Sequence, residues 1–122
     1  MTGVFMKLAT LADAIGAKTV TPGKGATVDA EQVYAGDRIS DLLNEAKDNV
    51  LLVSNLASSH LIRVAELMDV PGICLVSGQD PSPEMVQTAQ EHGTLLMLSP
   101  AGLFETCGRI YQCLAKEQQS KP

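Results

Sequence analysis

The sequence predicts an α/β fold, a three-layer α/β/α domain built on a small, mainly parallel sheet, and three observations carry that prediction. Three passages, "VLLVSN", "ICLVSG" and "LLMLSP", share one pattern: a short apolar run closing on serine, at Ser54, Ser77 and Ser99, 23 and 22 residues apart. Their apolarity is continuous and not alternating, which suits strands covered on both faces, as in a parallel sheet. Each run is followed by a helix-start signal and a helical period, so strand and helix alternate as in βα units. The core must also be aliphatic: 45% of residues are hydrophobic, yet only 3% are aromatic and Trp is absent. At 122 residues the chain fits one domain, long enough to bury a core without disulfides or metal.

The elements follow in chain order. Leu8, Leu11, Ala12 and Ile15 space a short amphipathic helix that ends at Gly16. "KTVTPG" reads as a strand stopped by Pro22-Gly23, and a polar, flexible loop runs on through Gly25. "EQVYAG" reads as a further short strand, at the sheet edge. Ile39, Leu42, Leu43 and Ala46 then share one helical face ahead of Lys47. After the first serine-ended strand, "SSHLIRVAELMD" places Leu61, Val64, Ala65 and Met68 on a helix. Ser82-Pro83-Glu84 supplies an N-cap hydroxyl, a first-position proline and an early acid for the next, with Met85, Val86 and Ala89 inward and a stop at Gly93. Ser99-Pro100 opens the last helix the same way, with a stripe of Leu103, Phe104, Cys107, Ile110, Tyr111 and Leu114. The domain spans residues 1–122, with its core over about 7–114 and a polar, frayed tail over 115–122.

Charge and composition exclude several functions. A formal charge of −5, with nine cations scattered singly, offers no patch for a nucleic acid. No apolar run reaches the roughly 20 residues that span a bilayer. The N-terminus carries Asp13 within its apolar pattern and lacks cleavage-site logic, so the expected address is cytoplasmic. Cys74, Cys107 and Cys113 have no zinc-type spacing and read as structural thiols, so neither a metal nor another cofactor is expected.

Among candidate sites, "TPGKGAT" lacks the spacing of a phosphate loop: the first glycine does not stand five residues before Gly-Lys, and Lys24 is followed by Gly25 in place of Ser or Thr. Gly36-Asp37-Arg38 with Asp41 has two compatible readings. Asp37 or Ser40 caps a helix start that Gly36 permits, or the loop contacts a ligand or partner. His60 falls in the first turn of its helix, near the end of the Val50–Ser54 strand, and His92 at a helix C-terminus. Ser54, Ser77 and Ser99 have no Gly-x-Ser-x-Gly elbow around them.

Taken together, "GDRISDLL", "NVLLVSN", "VPGICLVSGQDPSPEMVQTAQEHG" and "LLMLSPAGLFETCGRIYQCL" resemble the DRTGG domain family, related to the N-terminal domain of HPr kinase/phosphorylase, over about Lys7 to Leu114. The form it most resembles is the small stand-alone one often encoded beside iron-only hydrogenase genes and commonly labelled a serine kinase. Asp37-Arg38 begin the name-giving motif, and Ile39-Ser40-Asp41 stand where Thr-Gly-Gly would follow. Kinase chemistry in the larger relatives belongs to a separate P-loop domain, which this sequence does not contain. Other family members serve as regulatory modules in pyrophosphatases and phosphotransacetylases. The resemblance implies a non-catalytic regulatory or interaction module, a homodimer that senses a nucleotide or phosphorylated metabolite for a redox-enzyme partner. The rival is a small enzyme using the serine-bearing strand ends and Arg38 on a phosphorylated substrate. Parallel sheets place ligands beyond their carboxyl edge. Both readings therefore direct a ligand or partner to Ser54, Asn55, Ser77, Gly78 and Ser99, with His60 and the Gly36, Asp37, Arg38 and Asp41 loop beside them.

Overall fold

The apolar runs become adjacent central strands of a five-stranded sheet. The computed structural model describes residues 6–36, 49–55 and 59–119. In chain order the strands are β1 (Met6–Lys7), β2 (Lys18–Thr21), β3 (Asp29–Ala30), β4 (Gln32–Ala35), β5 (Val50–Ser54), β6 (Gly72–Leu75) and β7 (Leu95–Leu98). Among the described residues the helices are α1 (Leu8–Ala14), α2 (Ser59–Leu67), α3 (Pro83–His92) and α4 (Leu103–Gln119), with one 3-10 turn at Lys24–Thr27. The main sheet runs β2-β7-β6-β5-β4, and β1 pairs with β3 in a separate two-stranded ribbon. Strands β4 to β7 are mutually parallel and β2 is antiparallel to β7, so the sheet is mixed and mostly parallel. "EQVYAG" does form an edge strand, β4.

Successive side chains of a strand point to opposite faces, and β5 shows the result. Val50 and Leu52 join Leu61 and Ile62 of α2, Ile73 of β6 and Met85 of α3 in one buried cluster. Leu51 and Val53 join Leu8 and Leu11 of α1, Cys74 of β6 and Ile110 of α4 in another. Helices therefore cover both faces, giving the three layers that continuous apolarity implies. Truncating a fully buried leucine such as Leu52 to alanine would cost about 2–5 kcal/mol.

Local signals fix several boundaries. Ser82 Oγ accepts a hydrogen bond from Met85 N at 3.1 Å, Pro83 occupies the first turn, and Gly93 closes α3 at φ 81°. Other elements depart from expectation. The last helix begins at Leu103, after Ser99-Pro100, because Ser99 caps no helix. Its buried Oγ takes the Ala101 N–H at 3.3 Å and pairs with Thr106 Oγ1 at 2.8 Å. Phe104 and Tyr111 leave the inward stripe and stand 94% and 74% exposed, while Ile110 and Thr106 are buried. The polar stretch after Leu114 is helical as far as Gln119. The Gly23–Gly25 region is a packed turn and not a loose loop: Gly25 is buried, and its N–H donates to Gly93 O at 3.0 Å.

Candidate functional site

Parallel connectivity brings the carboxyl ends of β4, β5, β6 and β7 to one edge of the sheet. It also places the N-termini of α2, α3 and α4 there, since each follows a strand of that set. Gly36 leaves β4 with its N–H donating to Val53 O at 3.0 Å. Ser54 ends β5 fully buried, and its carbonyl accepts from Val76 N at 3.1 Å. Asn55 follows, half-buried, and His60 is exposed in the first turn of α2.

Beyond β6 the chain makes a tight turn. Gln79 N donates to Val76 O at 3.2 Å across Ser77 and Gly78, whose φ values are 61° and 67°. Two consecutive positive φ angles define a type I′ geometry, and a serine in the first position is strained there. The turn is bound to the connection after β7: Ser77 N donates to Ala101 O at 2.7 Å, and Gly78 N to Ser99 O at 3.2 Å. Both residues are solvent-exposed, and no atom lies within 4 Å of where a Gly78 side chain would start. The edge thus gathers Gly36, Ser54, Asn55, Ser77, Gly78, Ser99 and His60. Asp37, Arg38 and Asp41 lie outside the described residues. Only some of the gathered side chains face outward, since Ser54 and Ser99 are buried.

Chemically, the edge suits an anion better than a nucleophilic reaction. Three helix N-termini carry partial positive charge toward it. Of the three strand-end serines only Ser77 reaches solvent, and Ser99 already engages Thr106 and Ala101. Among the described residues no group of three His, Cys, Asp or Glu side chains could hold a metal ion. Burial, with Cys107 a lesser cause, pushes the Cys74 thiol up to about 12, and burial also raises Cys107. Neither thiol is disposed to act as a thiolate. Among the described residues no helix is long and apolar enough to cross a membrane.

Sequence reasoning missed a second feature. At the opposite edge of the sheet, a cavity of about 520 Å³ opens among Lys24, Gly25, Asn49, Asp69, His92 and Thr94. These residues come from four separate connections, so no local motif announces it. The weak local signal was "HGT", where a helix closing on Gly93 runs directly into a buried threonine.

The sequence matches no family model and no curated protein. Among solved structures it is similar to the CBS and DRTGG domains of the regulatory region of Clostridium perfringens pyrophosphatase, complexed with the activator diadenosine tetraphosphate. The TM-score is 0.74 at 14% identity, and the match covers 88% of this chain and 47% of that one. This chain therefore spans about half the length of its structural neighbour. The likeness shows a shared fold, in agreement with the resemblance to the DRTGG domain family drawn from the sequence.

Proposed function

We propose that this chain is a regulatory module that binds a nucleotide or phosphorylated metabolite at the carboxyl edge of its sheet. The observation that carries the reading is the fold shared with a regulatory region that was crystallised with a dinucleotide activator. The site geometry supports it. Three helix N-termini offer N–H groups and partial positive charge to phosphate beside the exposed Ser77-Gly78 turn. In this reading residues 7–114 act as one module, and its output passes to a redox-enzyme partner of the hydrogenase type. The module self-associates as a homodimer, using the exposed aromatic pair of α4. Phe104 and Tyr111 are two of only four aromatic residues in the chain, and they lie seven apart on one helix face.

The test is an amide chemical-shift titration of the purified chain with diadenosine tetraphosphate, ATP and AMP. Displacement of the Gly36, Asn55, Ser77 and Gly78 amides by at least one of them is expected. Silence of all four amides at millimolar concentrations of all three nucleotides would remove the reading. Turnover of any nucleotide, lost on Ser77→Ala, would instead favour the small-enzyme alternative.

A further inference from the structure

We infer that the outer side of β4 docks an extended, basic segment of a partner protein, which joins the main sheet as a further strand. The nucleotide reading assigns no docking surface to a partner, so this inference goes beyond it and stands without it. The ladder shows which backbone groups are open. Gln32 N donates to Asn49 O at 3.3 Å and Gly36 N to Val53 O at 3.0 Å, and the register with β5 is regular between them. Alternation therefore turns Gln32, Tyr34 and Gly36 toward β5 and points the N–H and C=O of Val33 and Ala35 the other way. Among the described residues no strand pairs with that side, and Val33 and Ala35 are both exposed. Val33, 37% exposed, packs into neither buried cluster, so an apolar side chain stands beside the open backbone.

The two outer strands of the main sheet, four residues each, are guarded differently. Strand β2 carries a register break between Thr19 and Thr21, an exposed Lys18 and a terminating Pro22, devices that keep an edge from pairing. Strand β4 has a regular register and no charge, proline or bulge, and its Val33 and Tyr34 favour the extended state. Charge decides what pairs with it. Residues 29–48, β4 and the sequence around it, hold six acidic side chains against two basic ones, −4 of the chain's −5. Lys7 meets Asp29 at 3.8 Å and offsets one of the six. Glu31, exposed just before β4, is met by the neutral amide of Asn49. A second copy would bring two such acidic stretches side by side, where like charges repel. A strand carrying Lys or Arg meets the opposite field, its main chain supplying affinity and its cations selectivity.

The test uses the full chain and three synthetic peptides: one alternating lysine and valine, one alternating glutamate and valine, and the lysine peptide methylated on every backbone nitrogen. Amide hydrogen exchange is the readout. In the free chain the amides of Val33 and Ala35 are expected to exchange faster than those of Tyr34 and Gly36. At saturation the lysine peptide should slow Val33 and Ala35 about tenfold and leave Tyr34 unchanged. Val33→Pro removes one outward N–H and spares the ladder to β5, because Val33 faces away from it and Gln32 is already extended. It should weaken the peptide about tenfold, read at Ala35, with the melting temperature unchanged. Ala35→Pro acts in the same way and decides the matter should Val33→Pro fail to fold. No protection by the lysine peptide, equal protection by either of the other two, or wild-type affinity in the proline variants would overturn the assignment. Protection that grows with the chain's own concentration and ignores the peptide would give the edge to a second copy, and overturns it equally. Ser77 and Gly78 report on nucleotide separately, so failure here leaves that reading to its own test.

Discussion

Alanine at Gly25 and alanine at Gly78 test two separate reasons for glycine in one molecule. At Gly25 the obstacle is space: a Cβ there would stand 2.0 Å from Pro71 O and 3.0 Å from Leu95 N. Real Cβ contacts do not fall below 3.0 Å, so the turn must retreat from Pro71 by about 1 Å. That retreat stretches the bond from Gly25 N to Gly93 O, now 3.0 Å, beyond hydrogen-bonding range, and strains that from Leu95 N to Pro71 O at 2.9 Å. Losing one to two buried backbone bonds together with the local packing costs about 3 kcal/mol. At Gly78 space is open and only φ, at 67°, opposes a side chain, for about 1 kcal/mol. At about 4 °C per kcal/mol for a chain of this size, the expected losses are about 12 °C and about 4 °C. Thermal melts followed by circular dichroism, with urea midpoints alongside, read both. A Gly25→Ala melt indistinguishable from wild type, or a Gly78→Ala loss larger than that of Gly25→Ala, would refute the reasoning.

Three further outcomes are expected. Ser82→Ala removes the bond to Met85 N and should lower stability by about 1 kcal/mol in urea titration, whereas an unchanged midpoint would mean that Pro83 alone starts α3. Cys74 holds its proton in the folded state to about 12 against an ordinary 9.0, so its contribution is complete below pH 9.0 and lost as pH climbs toward 12. The fall is about 1.4 kcal/mol per pH unit, and Cys74→Ala should show a shallower alkaline decline in stability. Equal slopes would reject the linkage. Light scattering over a dilution series should give a dimer that Phe104→Ser with Tyr111→Ser weakens about 100-fold, and a wild-type monomer at high micromolar concentration would rule out that use of α4.

What the sequence made legible was whatever local chemistry decides. Ser82-Pro83 and Gly93 bound α3 because capping is settled within one turn, and "VLLV", "ICLV" and "LLML" become central strands because continuous apolarity needs cover on both faces. Tertiary contacts decided the rest. Ser99 carries the same Ser-Pro signal as Ser82, yet its hydroxyl is claimed by Thr106, a polar residue within an apolar stripe, and the helix starts later. Phe104 and Tyr111 fit the helical period, but α1 and β5 fill the space beneath α4 with aliphatic side chains, so the larger rings stay outside. The carboxyl edge was legible in outline, since parallel strands must end together. The amino-edge cavity was not, because Lys24, Asn49, Asp69 and Thr94 meet only after the strands have been ordered.

The hydroxyl pair of Ser99 and Thr106 also sets the azimuth of α4. Aliphatic contacts are non-directional and tolerate a helix rolled about its own axis, whereas hydrogen bonds do not. Among the described residues two side chains so bonded anchor α4 to the rest of the fold: Thr106, whose Oγ1 meets Ser99 Oγ at 2.8 Å and Ala101 O at 3.3 Å, and Arg109, whose Nη1 donates to Ile15 O at 3.1 Å, with Glu105 bracing the same guanidinium. They lie three residues apart, on one side of the helix and a turn apart along it, so they fix roll and axial position together. A roll of one residue, about 100°, would carry the rings of Phe104 and Tyr111 toward the aliphatic layer. The outward display of that aromatic pair is therefore held by two polar pins, in a helix whose apolar contacts alone would leave its rotation undecided.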